Sequence, residues 1–301
     1  MSGTKTFIFG AGYSAKAFAR TNTDFGAFAG TTRTAKKFDS LRADAIRPLL
    51  FGGASTPEIE AALAETTHLV VSIAPDDAGD PVLNVAKETI RDRMPRLEWI
   101  GYLSTVGVYG DQGGNWVDEA SECRPVSRRS ALRLDAEREW QALAHEAGRP
   151  LAILRLSGIY GPGRNAFVNL ANGTARRLVK PGQVFNRIHR DDIAGALRHL
   201  AERKRGGIYN VTDDMPSPPQ DVVAYAASLM GIEPPPETDF ATAQLSPMAR
   251  SFYGENKRVS NAALKAAGYA LRFPDYRAAL GHMWAEGDWA EGEARSPIKR
   301  S

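Results

Sequence analysis

The chain has 301 residues, 43% of them hydrophobic, so it can bury a sizeable core as one large domain or two modest ones. Its 38 Lys and Arg against 35 Asp and Glu leave a net charge of +3, and the basic residues are scattered, which argues against a nucleic-acid partner or a membrane surface. The single Cys123 rules out an internal disulfide and points to a reducing, cytoplasmic setting; with no run near about 18 apolar residues and no leader pattern ahead of the first strand, neither export nor membrane spanning is expected.

Short apolar runs alternate with helical patterns, the signature of a parallel sheet covered by helices. TFIFG (6–10) reads as a first strand, with a helix from about Tyr13; GAFAGTTR (26–33) is a second strand and IRPLLFG (46–52) a third. PEIEAALAE is a helix, THLVVSIAP (67–75) a fourth strand, DPVLNVAKETIRDRM a helix and LEWIGYLST (97–105) a fifth strand. RPVSRRSALRLDAEREW (124–140) opens a helix. Pro125 ends what precedes it, Ser127 is a good N-cap, and Leu132, Ala136, Trp140 and Leu143 recur at helical spacing. LAILRLSGIYGPG (151–163) is a sixth strand running into a Gly/Pro turn.

Beyond about residue 164 the rhythm changes. A helix is expected near 166–178, a strand around QVFNRIHRDD, a helix from Ile193 to Ala201, a strand at GGIYNVTDD and a helix at PQDVVAYAASLMG, with Pro-rich loops between. The expected architecture is an α/β, doubly wound parallel sheet with a smaller C-terminal substrate-binding lobe. Residues 1–164 form the nucleotide-binding domain and 165–290 the lobe interwoven with it. Residues 291–301, EGEARSPIKRS, read as a disordered tail.

FGAGYSA (9–15) matches G-x-G-x-x-A between a strand and a helix. Gly10 allows a tight turn, Gly12 lets the backbone approach a pyrophosphate, and Ala15 lets the helix pack closely on the strand. At this first strand–helix junction the pattern points to dinucleotide binding, with a packing turn as the alternative. NAD binders place an acid at the end of the second strand, but here the strand ends at Thr32 and Arg33. A carboxylate would repel a 2′-phosphate, whereas Arg33 can pair with it and Thr32 can donate to it, so NADP is expected ahead of NAD. The alternative for Arg33 is a solvated strand-end arginine.

The stretches GAGYSA, VSIAP, LSTVGVYGD, RLSGIYGPGR, IHRDDIAGAL and GGIYNVTDD span almost the whole chain. In this order they resemble the short-chain dehydrogenase/reductase superfamily, in its extended NAD-dependent epimerase/dehydratase branch. The resemblance implies a Rossmann fold, a nicotinamide cofactor, a small polar metabolite or sugar nucleotide as substrate, and a homodimer. It carries cofactor contacts onto Tyr13 and Ser14 in the loop, Ala74 in VSIAP and Ser104 in LSTVG.

The family's chemistry uses a Ser or Thr after the fifth strand and a Tyr-x-x-x-Lys on the next helix. The Tyr is the acid/base, and the Lys holds the nicotinamide ribose and lowers the phenol pKa. Thr105 matches the hydroxyl, although a strand-end hydroxyl can also just satisfy local backbone. In the helix, the register puts Ser127 at the Tyr position and Ala131 at the Lys position, so both catalytic side chains are missing. The literal match Tyr253 to Lys257 falls in the C-terminal lobe with a glycine inside it, and reads as chance. Tyr109 and Tyr160 follow the C-terminal ends of strands and are the candidates for a displaced acid/base, though each also fits a pocket wall.

Arg128, Arg129 and Arg164 are candidates for an anionic substrate group. Asp192 is expected to cap a helix, Cys123 to be inert, and no cluster has metal-ligand spacing. With no Asp after the third strand, adenine contact at Gly52 must use backbone or packing. Two functions remain in view. One is an NADP(H)-binding oxidoreductase or epimerase whose acid/base work has moved to Tyr109, Tyr160 or the substrate itself. The other is a catalytically inactive NADP(H)-sensing or partner-binding Rossmann protein.

Overall fold

The apolar runs become seven strands: β1 (Lys5–Phe9), β2 (Ala27–Thr32), β3 (Ile46–Leu50), β4 (His68–Val71), β5 (Trp99–Thr105), β6 (Leu151–Leu156) and β7 (Gly207–Val211). All pair in parallel, in the order β3-β2-β1-β4-β5-β6-β7. The computed structural model describes residues 3–246 and 250–290, so the tail expected at 291–301 lies outside the described residues. No helix among the described residues is long and apolar enough to cross a membrane.

The helices are α1 (Tyr13–Thr21), α2 (Phe38–Ala43), α3 (Pro57–Glu65), α4 (Leu83–Asp92), α5 (Arg128–Glu146), α6 (Ala166–Ala171), α7 (Arg190–Glu202), α8 (Pro219–Met230), α9 (Ala262–Ala266) and α10 (Tyr276–Glu286). The pleat of β1 sends Ile8 to one face and Phe7 and Phe9 to the other. Ile8 meets α1 and α7 through Ala15, Phe18, Ile193 and Leu197. Phe7 and Phe9 meet α3, α4 and α5 through Ile59, Leu83, Ile90 and Trp140. Burial on both faces is why these strands are continuous apolar runs. The strand order reverses direction between β1 and β4, and a crevice opens outside the carboxyl ends at such a point.

The second half of the chain returns α7 and β7 to the sheet and builds a lobe beside it. There Phe167, Ala226, Tyr276, Leu280 and Met283 pack α6, α8 and α10 together. A short parallel ladder joins Gly158–Tyr160 to Arg187–His189, and another joins Trp116–Val117 to Arg258–Val259. Two expectations shift here. The helix expected at 166–178 stops at Ala171, because Gly173 follows in the left-handed region at φ 66°, and Arg177–Val179 is a strand.

Helix α7 also starts three residues earlier than expected, at Arg190. His189 caps it, its Nδ1 accepting from the Asp191 amide at 3.2 Å. Asp192 is therefore not a cap. Its carboxylate accepts from the Tyr269 hydroxyl (2.9 Å) and from the amides of Arg272 (2.6 Å) and Phe273 (3.0 Å), clamping the chain beyond α9 onto α7.

A buried ion pair ties the carboxyl ends of the later strands together. Arg155 on β6 and Glu137 on α5 are only 4% and 1% exposed and meet at 2.8 Å, with the guanidinium Nε also 3.2 Å from both carboxylate oxygens. Ser104 on β5 donates to Glu137. Arg155 also donates to the Tyr109 hydroxyl at 2.9 Å, and that hydroxyl donates to Asn210 Oδ1 on β7 at 2.8 Å. Replacing Arg155 by Met strands a buried carboxylate and should cost roughly 3–5 kcal/mol in urea unfolding, most of it recovered in the Arg155→Met/Glu137→Leu double variant. Equal stability of Arg155→Met and the parent would show that the pair does not hold the strand ends.

Candidate functional site

The turn after β1 requires glycine. Gly10 has φ 86°, and a Cβ there would lie 2.8 Å from Ile73 Cγ1 and 3.1 Å from the Ile73 amide at the end of β4. Its amide donates to Thr31 Oγ1 at 2.9 Å and that of Ala11 to the Thr31 carbonyl at 2.8 Å, fixing the loop against β2. Gly12 is the N-cap of α1 and offers no side chain to the first amides of the helix. With no acid in that first turn, the head of α1 presents uncapped N–H groups and the positive end of the helix dipole. Ser14 and Ala15 are buried, and Ala15 lets α1 lie close on the sheet.

Tyr13 does something the sequence did not signal. Its hydroxyl donates to the Pro162 carbonyl at 2.8 Å, and the Arg190 and Arg164 guanidinium groups lie 4.9 and 5.1 Å from its ring centre. The glycine loop is thereby joined to the Gly-Pro-Gly turn that leads into the lobe.

At the end of β2, Thr32 is half-buried and Arg33 is exposed. Thr34 caps the following turn, Ala35–Lys37, whose Lys36 and Lys37 are also exposed. None of these three cations makes an ion pair among the described residues, whereas the nearby acids Asp39 and Asp44 are paired with Arg42 and with Lys16 and Arg20. Ala74, past the end of β4, is exposed. The loop after it is anchored by Asp80, which accepts from the Val82 amide (2.8 Å) and the Trp140 indole (3.0 Å). It meets the start of α5 through Arg128 and Asp77 at 2.7 Å.

Where the family has its Tyr and Lys, this chain gathers small hydroxyls. Ser127 caps α5, accepting from the Ser130 amide at 3.1 Å and donating to Ser130 Oγ at 2.9 Å. Thr105 accepts from the Gly107 amide at 3.1 Å. A Cβ on Gly107 would lie 2.7 Å from Ser130 Oγ and 3.3 Å from Thr105 Oγ1, so glycine lets both hydroxyls approach the turn. Ala131 contributes only a methyl. Arg133, unremarked in the sequence, reaches back from α5 to the Leu103 carbonyl at 2.6 Å.

Two sequence candidates lie elsewhere. Ser104 and Tyr109 are buried with their hydroxyls engaged in the Glu137–Arg155 network, and burial pushes the Tyr109 phenol up to about 12. Side chains alternate along β5, so Ser104 faces the packed interior and Thr105 points out of the network that holds it, while Tyr109 enters that network from the turn after β5. Tyr253 stacks on Phe240 at 4.8 Å, and Lys257 donates to the Gly110 carbonyl at 2.7 Å, contacts that explain both residues structurally.

Tyr160 is placed differently. It lines a cavity of about 440 Å³ in the lobe, and its hydroxyl has no hydrogen-bond partner among the described residues. Burial raises its pKa above the ordinary phenol value, so it stays protonated and can donate to an oxygen, but it is not a phenolate near neutrality. It follows β6, whose Leu156 is the register partner of Thr105. Beside it, the His189 ring packs edge-on at 5.4 Å and is held neutral, its pKa pushed down to about 4 by burial. Asp213, which sequence reasoning missed, has one carboxylate oxygen accepting from the Met215 amide at 3.1 Å and the other without a partner among the described residues; burial pushes it up to about 8. Burial likewise raises the Cys123 thiol, which disfavours a thiolate.

Uncapped amides at the head of α1, a glycine turn beside the end of β4 and a crevice at the strand reversal are the features of a Rossmann fold. Residues 81–212 match the model of the NAD dependent epimerase/dehydratase family. Protein YeeZ of Escherichia coli is 31% identical over 185 residues, 58% of this chain and 63% of YeeZ, so the match spans less than two thirds of that relative. The solved structure of a conserved protein of unknown function from Silicibacter pomeroyi DSS is 45% identical, with a TM-score of 0.86 over 94% of this chain and 99% of that one. Human epimerase family protein SDR39U1 (isoform 2), solved with NADPH, shares the fold at 17% identity, with a TM-score of 0.71 over 94% of this chain and 99% of that one. Over residues 81–212 the chain carries an NAD-dependent epimerase/dehydratase domain, and over its length it shares the fold of solved epimerase structures.

The unpaired Asp213 gives a pH signature. The folded protein keeps its proton up to about pH 8, while an unfolded chain releases it near 3.8. Its favourable contribution is therefore full below the unfolded pKa and is lost as the pH rises to the folded value. The stability of the parent relative to Asp213→Asn, measured by urea unfolding, should fall between about pH 4 and pH 8 and level off above. A difference that does not change with pH would mean that the carboxyl is not held neutral.

Proposed function

We propose that this protein binds NADP(H) across the carboxyl ends of β1 and β4 and works as an oxidoreductase on a small polar metabolite held in the lobe. The observation that carries the reading is the pairing of two features. One is a glycine turn with uncapped amides at the head of α1. The other is three cations, Arg33, Lys36 and Lys37, at and just beyond the end of β2, with no ion pair among the described residues, where NAD binders carry an acid. The pyrophosphate would meet the α1 amides, and a 2′-phosphate would meet Arg33 and Thr32. When bound, the nicotinamide supplies hydride chemistry.

The chain's own part is to orient the substrate and to supply hydrogen bonds. Thr105 at the end of β5 and Tyr160 beyond the end of β6 are the groups proposed to meet the reacting oxygen. Tyr160 can do so only as a neutral donor, since burial opposes its ionisation. No cation stands at position 131 to hold a ribose or lower a phenol pKa. That same absence, together with the engaged hydroxyls of Ser104 and Tyr109, favours the second reading: a binding protein that senses NADP(H) without turnover.

Calorimetric titration separates these. NADPH should bind more tightly than NADH, and Arg33→Ala should remove roughly a tenfold or greater share of that preference. Equal binding of the two dinucleotides, or a preference untouched by Arg33→Ala, would overturn the NADP assignment. If NADPH is consumed with a carbonyl substrate, Tyr160→Phe should lower kcat by roughly 10²-fold or more. Undiminished kcat would remove Tyr160 from the chemistry. Tight binding with no consumption across such a panel would support the sensing reading.

A further inference from the structure

The lobe cavity that Tyr160 lines is one-sided in charge. Arg164 and Arg187 reach its wall and no Asp or Glu does; Val222, Val223 and Leu280 supply an apolar side. Neither arginine makes an ion pair among the described residues. Arg187 donates from one terminal nitrogen to three neutral acceptors, the Phe185 carbonyl (3.0 Å), the Ser217 carbonyl (3.2 Å) and Ser217 Oγ (2.8 Å). Arg164 lies over the Tyr13 ring, again a neutral partner.

Asp213 is the acid next to Arg187, its amide donating to the Arg187 carbonyl at 2.7 Å. Its carboxyl forms no ion pair with the guanidinium, and burial holds it neutral up to about pH 8. Burial also drags the Arg187 pKa below its ordinary value, with the Asp213 charge opposing the shift without reversing it. Such a charge is costly unless something pairs with it, and a cavity opens in front of it.

We propose that this cavity is the substrate pocket and that it takes a small organic anion with an apolar body, its charged group between Arg187 and Arg164 and its body against Val222, Val223 and Leu280. The pocket's role in turnover rests on the nicotinamide reading above; its preference for an anion does not. The shape and charge fit a compact carboxylate or phosphate ester, with the substrate's reacting oxygen toward Tyr160.

Benzoate and its neutral counterpart benzamide are suitable probes, with binding to the full chain followed by saturation-transfer NMR and calorimetry. Benzoate should bind and benzamide should not. Arg164→Ala, an exposed position, should weaken benzoate by about tenfold or more, and Arg187→Gln should weaken it further. If Arg187→Gln fails to fold, the benzoate–benzamide contrast and Arg164→Ala decide the matter. Equal binding of the two probes, no benzoate binding, or undiminished binding in Arg164→Ala would overturn the proposal. Titrating NADPH into the same wild-type sample keeps the two readings apart. Benzoate binding without NADPH binding keeps the anion pocket and removes the dinucleotide function, whereas NADPH binding without benzoate binding removes the pocket.

Discussion

Glu137 and Arg155 meet in the middle of the protein with almost no access to water, and much of the site is arranged around that meeting. Desolvating two charges is expensive, and their attraction offsets it only when the geometry is good and the remaining polar atoms find partners. Here they do. The guanidinium grips the carboxylate through two nitrogens, Ser104 adds a donor to the acid, and Tyr109 takes another guanidinium hydrogen and passes one on to Asn210. One polar network therefore fixes the carboxyl ends of β5, β6 and β7 and the face of α5 that looks at them. Those ends are where ligands gather in a parallel sheet. The arrangement also limits the chemistry, because the same contacts engage the Ser104 and Tyr109 hydroxyls.

What is left facing outward is sparse in acid/base groups. Thr105 at the end of β5 and Ser127 at the head of α5 are small hydroxyls, and Tyr160 is a phenol kept neutral by burial. Such a set can orient an oxygen and donate to it, but lacks a group tuned to take a proton near neutral pH. The two halves of the site are also mechanically joined. Tyr13 belongs to the glycine loop, yet its hydroxyl holds Pro162 and its ring carries Arg164, which lines the lobe cavity.

Much of the fold was legible in the sequence because both faces of each strand are buried. That makes strands short apolar runs, and the glycine pattern after the first of them places α1. The head of α5 was legible too, since Ser127 caps it as its position suggests. The errors have local physical causes. Ser104 and Thr105 are neighbours in sequence but point to opposite faces of β5, and only one can face a ligand. His189 caps α7 through its ring, which advanced the helix start and turned Asp192 from an expected cap into a clamp on 269–273. Gly173 ended α6 early. The pairing of Arg164 with Arg187 was not visible in one dimension, because a turn after β6 and a short ladder strand meet only in the folded lobe.

The account stands on a dinucleotide seated at the glycine loop, and amide hydrogen exchange with and without NADPH tests that most directly. Protection should rise at residues 10–16 and 31–37 and around Ala74, with little change on the outer faces of α3 and α4. Unchanged exchange at 10–16 under saturating NADPH, or protection confined to the lobe cavity, would contradict it.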